Sequence, residues 1–130
     1  MQKWKTHPEI AKILKGGKRV SYGARAISDG GLQSVPKLAF PGGALIGDTA
    51  GFLNVPRIKG THTAMKSGMM AADAAFAAVA AGRSSDTLEA YQAAFDDSWV
   101  KKELSVVRNV LPLVEKYGDM AGTILSGITM

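Results

Sequence analysis

The chain contains no cysteine, which excludes disulfides, thiol chemistry and Cys-ligated zinc or iron–sulfur centres built from its own residues. It has only two histidines, His7 and His62, so a metal site within the chain is not expected. Aromatic residues make up 7% of the chain, too few for a base-stacking platform, and no nucleic-acid partner is expected. Neither G-x-G-x-x-G nor G-x-x-x-x-G-K-[ST] occurs, so a complete phosphate-binding fingerprint is missing.

Long hydrophobic runs are also scarce. The first residues, Met1 to Lys5, lack the apolar stretch of a signal peptide. The longest apolar stretch, residues 64–81, consists mostly of alanine and is interrupted by Lys66 and Asp73. It is too weakly hydrophobic to predict a membrane span.

The composition is that of one folded domain. The chain has 130 residues, 46% of them hydrophobic and 21% charged, which allows a single core. That length does not hold a whole dinucleotide site together with a substrate domain. The net charge of +5 suits an anionic cofactor or an acidic membrane surface, although most such charges simply lie in water.

The first half of the chain is punctuated by glycine and proline. We predict a short helix over residues 8–14, a strand over 18–25 and a turn at 41–43. The apolar run at residues 44–47 predicts a strand buried on both faces. A loop or strained turn is then expected over residues 48–56.

The second half is predicted to be helical. One helix begins at Thr61 or Thr63 and ends at Gly82; its spacing predicts an apolar stripe of Met65, Met69, Phe76 and Val79. Methionines 65, 69 and 70 are expected in the core rather than at a cofactor. A second helix is expected to open at residues 84–87, to run through 88–111 with its own stripe, and to be kinked or ended by Pro112.

One local pattern carries chemistry: a short apolar strand, Gly47-Asp48, a glycine-containing loop and a helix from Gly60-Thr61. Asp48 at the end of a strand can accept hydrogen bonds from ligand hydroxyls, although an Asp that merely caps a turn is the commoner case. Gly51 and Gly60 allow the backbone to approach a flat ring or a phosphate. The helix beginning at Thr61 offers free N–H groups and a partial positive charge.

Residues 44–68 resemble the second FAD motif of the electron transfer flavoprotein–ubiquinone oxidoreductase family. The specific part is the string Asn-Val-Pro-Arg-Ile-Lys-Gly-Thr-His-Thr-Ala-Met-Lys-Ser-Gly at residues 54–68. Residues 16–26, 30–38 and 98–104 are similar too, so the likeness covers at least residues 16–108.

The resemblance implies a flavoprotein that passes electrons from electron transfer flavoprotein to ubiquinone at a membrane surface through FAD and a [4Fe–4S] cluster. The cluster would belong to the whole protein only, since this chain has no ligands for it. Residues 47–48 would meet the ribityl and phosphate side of FAD, residues 54–63 would pass the isoalloxazine, and no residue would be catalytic. The implied cofactor-binding residues are Gly47, Asp48, Gly51, Asn54, Val55, Pro56, Gly60, Thr61, His62 and Thr63.

The expected fold is α/β, as an α+β fragment of an FAD/NAD(P)-binding-like domain. Residues 1–35 would end a quinone-side domain, residues 36–82 would be the closing strand and helix of the FAD domain, and residues 83–130 would be helices packed on it. The expected location is peripheral, at the bacterial inner membrane or the mitochondrial inner membrane. As a fragment, the chain alone would be inactive, with weak FAD affinity at best.

Two alternatives remain open. One is another FAD-dependent reductase, similar to geranylgeranyl reductases, which share a Gly-Asp and a following helix but not the string at residues 54–68. The other is a non-catalytic helical interaction module. Apolar surface left uncovered would favour self-association of the chain.

Overall fold

The computed structural model describes residues 2–129 and is built mainly from helices. In chain order the elements are α1 Gln2–Lys5, α2 Pro8–Leu14, β1 Ala39–Phe40, β2 Gly43–Ala44, α3 Thr61–Ala80, α4 Glu89–Asp97, α5 Trp99–Val107 and α6 Val110–Thr129. Short 3-10 helices lie between them at Leu32–Ser34, Gly47–Ala50 and Val55–Arg57. This architecture agrees with the α+β part of the expectation.

The predicted helix over residues 8–14 and the long helix from Thr61 are both confirmed. Pro8 opens α2, where a missing backbone N–H costs nothing. Beyond the end of α3, Gly82 adopts a φ of 69°, the left-handed conformation that glycine accepts without strain. Glycine and proline therefore set these boundaries as the sequence indicates.

The sheet is a two-stranded antiparallel hairpin, with Ala39 opposite Ala44 and Phe40 opposite Gly43. The predicted turn at residues 41–43 is confirmed. The strand predicted over residues 44–47 is wrong, because β2 ends at Ala44 and pairs on one side only. Gly47, with a φ of 56°, then turns the backbone into a 3-10 helix. No parallel sheet occurs among residues 2–129.

The strand predicted over residues 18–25 is also wrong. This segment is neither helix nor strand, and its Val20 side chain is 97% exposed. A strand needs a neighbour to complete its hydrogen bonds, and none of the described residues pairs with it. The local sequence of residues 18–25 therefore did not produce a strand here.

The core lies between the hairpin, the loop before α3, and helices α3, α4 and α5. The rings of Phe52 and Phe95 stack at its centre, with centroids 4.7 Å apart and planes 17° apart. The buried cluster consists of Leu38, Ala39, Ala50, Phe52, Met70, Ala74, Tyr91, Phe95, Val100 and Leu104.

Helix α3 turns a different face to this core than the apolar stripe suggests. Met65 and Met69 are exposed, and Phe76 is 78% exposed, so the expected core positions of these two methionines are wrong. Met70 is buried, as expected. The buried face consists of Thr63, Ser67, Met70, Ala74 and Ala78.

The second predicted helix is broken in two. Ser98 ends α4 and caps α5, its Oγ accepting the N–H of Lys101 at 3.3 Å. Pro112 lies in the first turn of α6 rather than ending a helix, a position where proline is tolerated. The kink falls later, at Gly118, with φ 78° and ψ 173°.

Past Gly118, the end of α6 packs closely against its beginning. Gly122 is buried there, and a side chain on it would meet the Cα of Val114 and, at 2.6 Å, the carbonyl oxygen of Leu113. Only glycine fits this approach. None of the helices formed by residues 2–129 has the length and apolarity needed to cross a bilayer.

Candidate functional site

The loop that precedes α3 is fastened to the buried face of that helix. The N–H of Gly47 donates to Ser67 Oγ at 2.9 Å. The hydroxyl of Thr63 lies 2.7 Å from the carbonyl oxygen of Phe52, to which it donates. Because small polar side chains on the helix meet loop backbone, the backbone runs close along α3.

A buried tyrosine holds the start of the same loop. The hydroxyl of Tyr91 donates to the carbonyl oxygen of Leu45 at 2.8 Å. Burial raises the pKa of Tyr91 to about 12, although a hydrogen bond with Ser67 acts to lower it. Tyr91 therefore stays a neutral donor at physiological pH.

A side chain on either of two glycines of the motif would crowd its neighbours. A Cβ on Gly47 would come 3.1 Å from the Cβ of Ala64. A Cβ on Gly60 would come 2.8 Å from Asp48 Oδ1 and 3.0 Å from Leu53 Cδ1. The first contact explains why the loop can lie so near α3, and the second places the Asp48 carboxylate beside the start of that helix.

The N-terminus of α3 has no side-chain cap. Gly60 occupies the N-cap position, and no acidic residue lies in the first turn. The expectation that Thr61 or Thr63 caps the helix is therefore wrong: the Thr63 hydroxyl is bonded to the carbonyl oxygens of Phe52 and Gly60 instead. A 20-residue helix thus begins with backbone N–H groups that no side chain satisfies, and with a partial positive charge.

An open hollow of about 580 Å³ lies beside this helix start. That volume is in the range of sites for small organic ligands. Its walls combine two cationic side chains with one carboxylate. The lining residues are Arg57, Ile58, Lys59, Gly60, Thr61, His62, Met65 and Glu103.

Glu103, on α5, connects two predicted site residues. Its Oε1 accepts a hydrogen bond from Asn54 Nδ2 at 2.7 Å, and its two oxygens lie 2.9 and 3.1 Å from His62 Nε2. The ring of Trp99 stacks against the ring of His62, with centroids 5.6 Å apart and planes 13° apart. The beginning and the end of residues 54–62 are thereby tied to α5.

The environment keeps Glu103 ionised. Burial acts to raise the pKa of this carboxyl, but the hydrogen bonds from Asn54 and His62 and the nearby charges of His62 and Arg57 outweigh it. The net result is a pKa below the usual value. A charged carboxylate therefore forms the centre of this network.

The ten residues implied by the resemblance occupy one continuous region with unequal exposure. Gly47, Gly51, Asn54 and Thr63 are buried; Val55, Gly60 and His62 are half-buried; Asp48, Pro56 and Thr61 are exposed. The fold brings Asp48 next to Gly60, and brings Asn54 and His62 to one carboxylate. Asn54 Oδ1 is buried without a hydrogen-bond partner.

Sequence reasoning did not select Glu103 or Trp99 as site residues. These two positions are four apart, so a helical pattern does place them on one face. Nothing in the sequence indicates that this face meets His62, which lies 41 positions before Glu103. The contact comes from tertiary packing.

Two comparisons with known proteins, one with a family model and one with individual relatives, give the same family. A family model described as "ETF-QO, ubiquinone-binding" matches residues 1–27. The probable electron transfer flavoprotein–ubiquinone oxidoreductase of Acinetobacter baylyi is 52% identical over 139 residues, covering 94% of this chain and 24% of that protein. The mitochondrial protein of the same name from Rattus norvegicus is 52% identical over 131 residues, covering 94% and 21%. The one from Pseudomonas aeruginosa is 55% identical over 122 residues, covering 93% and 22%.

These similarities extend over nearly the whole chain and are not restricted to the motif at residues 44–68. The chain spans between 21% and 24% of the length of these relatives. The resemblance noted in the sequence is confirmed, and the chain belongs to the electron transfer flavoprotein–ubiquinone oxidoreductase family.

Proposed function

We propose that this chain supplies part of the FAD site of a flavoprotein oxidoreductase, with residues 47–63 lying along the flavin. The observation that carries the proposal is the uncapped N-terminus of α3, which opens on the hollow of about 580 Å³. Arg57 and Lys59 flank this helix start and add positive charge. Such an arrangement favours an electron-rich, partly anionic ligand.

The residues present fit this cofactor. A helix start without a cap presents backbone donors to ligand oxygens. The place that a Cβ on Gly60 would take lies within 3.0 Å of Asp48 Oδ1 and Leu53 Cδ1, so glycine lets the loop carry Asp48 right up to the helix start. When bound, FAD supplies the electron transfer, while the protein positions and tunes it.

We assign different tasks to the exposed and the buried members of the region. The exposed carboxylate of Asp48 accepts hydrogen bonds from ribityl hydroxyls, and Thr61 presents its backbone N–H toward the ring. Asn54 and Thr63 are fully buried and bonded within the chain, so their side chains shape the backbone rather than touch the ligand.

For the whole protein we propose electron transfer from electron transfer flavoprotein to ubiquinone through FAD and a [4Fe–4S] cluster, at the surface of the bacterial or mitochondrial inner membrane. The names of the relatives support the two partners. The cluster would need ligands from outside this sequence, which has no cysteine.

The division of the chain is part of the same proposal. Residues 1–35 would end the quinone-side domain, which the ubiquinone-binding match to residues 1–27 supports. Residues 36–82 would close the FAD domain, and residues 83–130 would pack on it. The chain alone would be inactive and would self-associate through its exposed apolar surface.

The test is a chimera in which this sequence replaces the aligned segment of the Pseudomonas aeruginosa relative, to which it is 55% identical. We expect the purified chimera to contain FAD and to reduce a quinone with reduced electron transfer flavoprotein. Gly60→Val in the chimera should lower the FAD content severalfold, because a side chain there collides with Asp48 and Leu53. Thr61→Ala removes an exposed hydroxyl at the helix start, which we also place beside the ring, and should shift the flavin potential without loss of folding.

Glu115→Gln, at an exposed position on α6, is the matched control and should change neither FAD content nor potential. Unchanged flavin spectra and potential in both Gly60→Val and Thr61→Ala would contradict the proposal. FAD content without quinone reduction would refute the electron-transfer part of the proposal and leave the flavin site. A chimera with no FAD at all would refute the flavin site.

A further inference from the structure

We infer that Glu103 is a positioning residue, whose single carboxylate holds residues 54–62 in the shape that the proposed flavin contact requires. The inference rests on the proposed function for its purpose, but the geometry that supports it belongs to this chain alone. Glu103 lies on α5, outside the segment that it holds.

One side chain, Glu103, holds both ends of one loop. Asn54 begins the loop and donates to Glu103 Oε1 at 2.7 Å, while His62, in the first turn of α3, lies 2.9 Å from the same oxygen. Between them the loop is closed by two backbone hydrogen bonds between Asn54 and Lys59, of 2.8 and 3.2 Å. A carboxylate that binds both Asn54 and His62 fixes where the loop meets the helix.

The loop contains a strained residue and therefore needs support from outside the loop. Ile58 adopts a φ of 51°, a left-handed conformation that is unfavourable for a β-branched residue. Its side chain is 88% exposed and gains little from packing. Strained conformations persist where surrounding contacts determine them, and the Asn54–Glu103 bond is such a contact at the base of this loop.

Helix α5 also supplies two contacts to His62, one from Trp99 and one from Glu103. Trp99 and Glu103 lie one helical turn apart, so the imidazole stacks on the indole and points its Nε2 at the carboxylate. Orientation of the ring is thereby fixed by two groups from the same helix. His62 follows Thr61 directly, so its orientation also sets the first turn of α3.

Charge makes this support dependent on pH. The charged groups that face Glu103 are Arg57 from the loop and His62 from α3, both cationic when protonated. An ionised carboxylate satisfies them, whereas a protonated one loses the attraction to Arg57 and one of its acceptor roles. The support should therefore weaken in acid.

The experiment measures amide hydrogen exchange by NMR on the 130-residue chain without FAD. In Glu103→Ala, the amides of Asn54 and Lys59 should exchange about 10-fold faster or more, the loss expected for a charge-assisted hydrogen bond. The amide of Phe95, in the core, reports global unfolding and should keep its protection. Equal protection at Asn54 and Lys59 in the variant would overturn the inference.

Glu103→Gln keeps the shape and one acceptor while removing the charge, so it provides the measurement should the alanine variant unfold. Protection of Lys59 in the wild type should fall as the carboxyl protonates, and Glu103→Gln should abolish that dependence. Glu115→Gln is the control and should retain it. A wild-type profile without acid dependence, or one that Glu103→Gln leaves intact, would overturn the inference.

The FAD content of the chimera separates this inference from the proposed function. Faster exchange of residues 54–62 in Glu103→Ala, with no FAD in the purified chimera, would uphold the positioning role and refute the flavin site. FAD in the chimera, with equal exchange in the wild-type chain and in Glu103→Ala, would do the reverse. Where both hold, Glu103→Ala in the chimera should bind FAD at least severalfold more weakly than the unaltered chimera.

Discussion

Residues 2–31 and residues 38–107 differ in how much of their structure is fixed by packing within this chain. The first region has no fully buried residue among those whose burial is described, and it lacks regular structure from residue 17 onward. The second contains the whole buried cluster and the candidate site. Yet the ubiquinone-binding family model matches the first region, at residues 1–27. A segment of this chain can therefore match a family model without packing against the core.

Contacts with the rest of the chain explain this difference between the two regions. Residues 45–60 have no long helix or strand of their own, but side chains of α3, α4 and α5 bind their backbone and side chains. Residues 18–25 have a strand-like sequence but no partner among the described residues. Tertiary contacts, more than propensity, decide between a defined conformation and an extended one.

Truncating one apolar side chain in each region should change the free energy of unfolding by very different amounts. Phe52→Ala should lower the free energy of unfolding by about 3–5 kcal/mol, because it removes a fully buried ring stacked on Phe95. Val20→Ala should change it by less than about 0.5 kcal/mol, since that side chain is almost fully exposed. Urea denaturation followed by circular dichroism measures both. Equal losses would remove the distinction between the two regions.

A smaller effect is expected within α6, which combines a packed glycine with a free one. Gly122→Val should destabilise the chain by about 1–3 kcal/mol, because the new side chain collides with Leu113 and Val114. Gly127→Ala has nothing within 4 Å and should stabilise the helix by up to about 1 kcal/mol. Thermal unfolding of both variants tests this. A neutral Gly122→Val would show that the end of α6 does not pack on its beginning.

A still smaller change in stability is expected when the pH is lowered. The folded pKa of Glu103 lies below its ordinary value of 4.5, so its contribution to stability is present above pH 4.5 and is lost as the pH falls through the lower folded value. The wild type should therefore lose more stability than Glu103→Gln between about pH 5 and pH 3. Urea midpoints at several pH values measure the difference. Parallel pH profiles would show that the carboxylate contributes nothing to the site.

The smallest effect on stability is expected on the exposed stripe of α3. Phe76→Glu should change the free energy of unfolding by less than about 0.5 kcal/mol, because the ring is outside the core. The same change should reduce self-association, since it places a charge in the apolar surface. Light scattering over a range of concentrations tests this, with Glu115→Gln as the control. A monodisperse wild-type monomer would contradict the proposed self-association.

Part of this structure follows from the sequence. Proline and glycine predict α2, the turn at 41–43 and the end of α3, because these residues act through local backbone geometry. The motif at residues 44–68 also identifies the family.

The rest depends on packing, which residue spacing does not report. The apolar stripe of α3 predicts the wrong core face, since the loop approaches through Gly47 and selects small side chains instead. The break at Ser98 divides a continuous apolar pattern. The contact of Glu103 with His62 joins segments distant in sequence, and only the fold brings them together.

The central claim is that residues 46–67 present their backbone and the start of α3 to the flavin ring. The most direct measurement is amide hydrogen exchange of the chimera, followed by mass spectrometry, with FAD bound and after its removal. We predict that bound FAD slows exchange most at residues 47–63, with the largest effect in the peptide that contains Gly60 and Thr61. Protection confined to a second hollow of about 730 Å³, which Gly68, Ala71, Ala75 and Ser84 help to line, would contradict the claim, as would equal exchange with and without FAD.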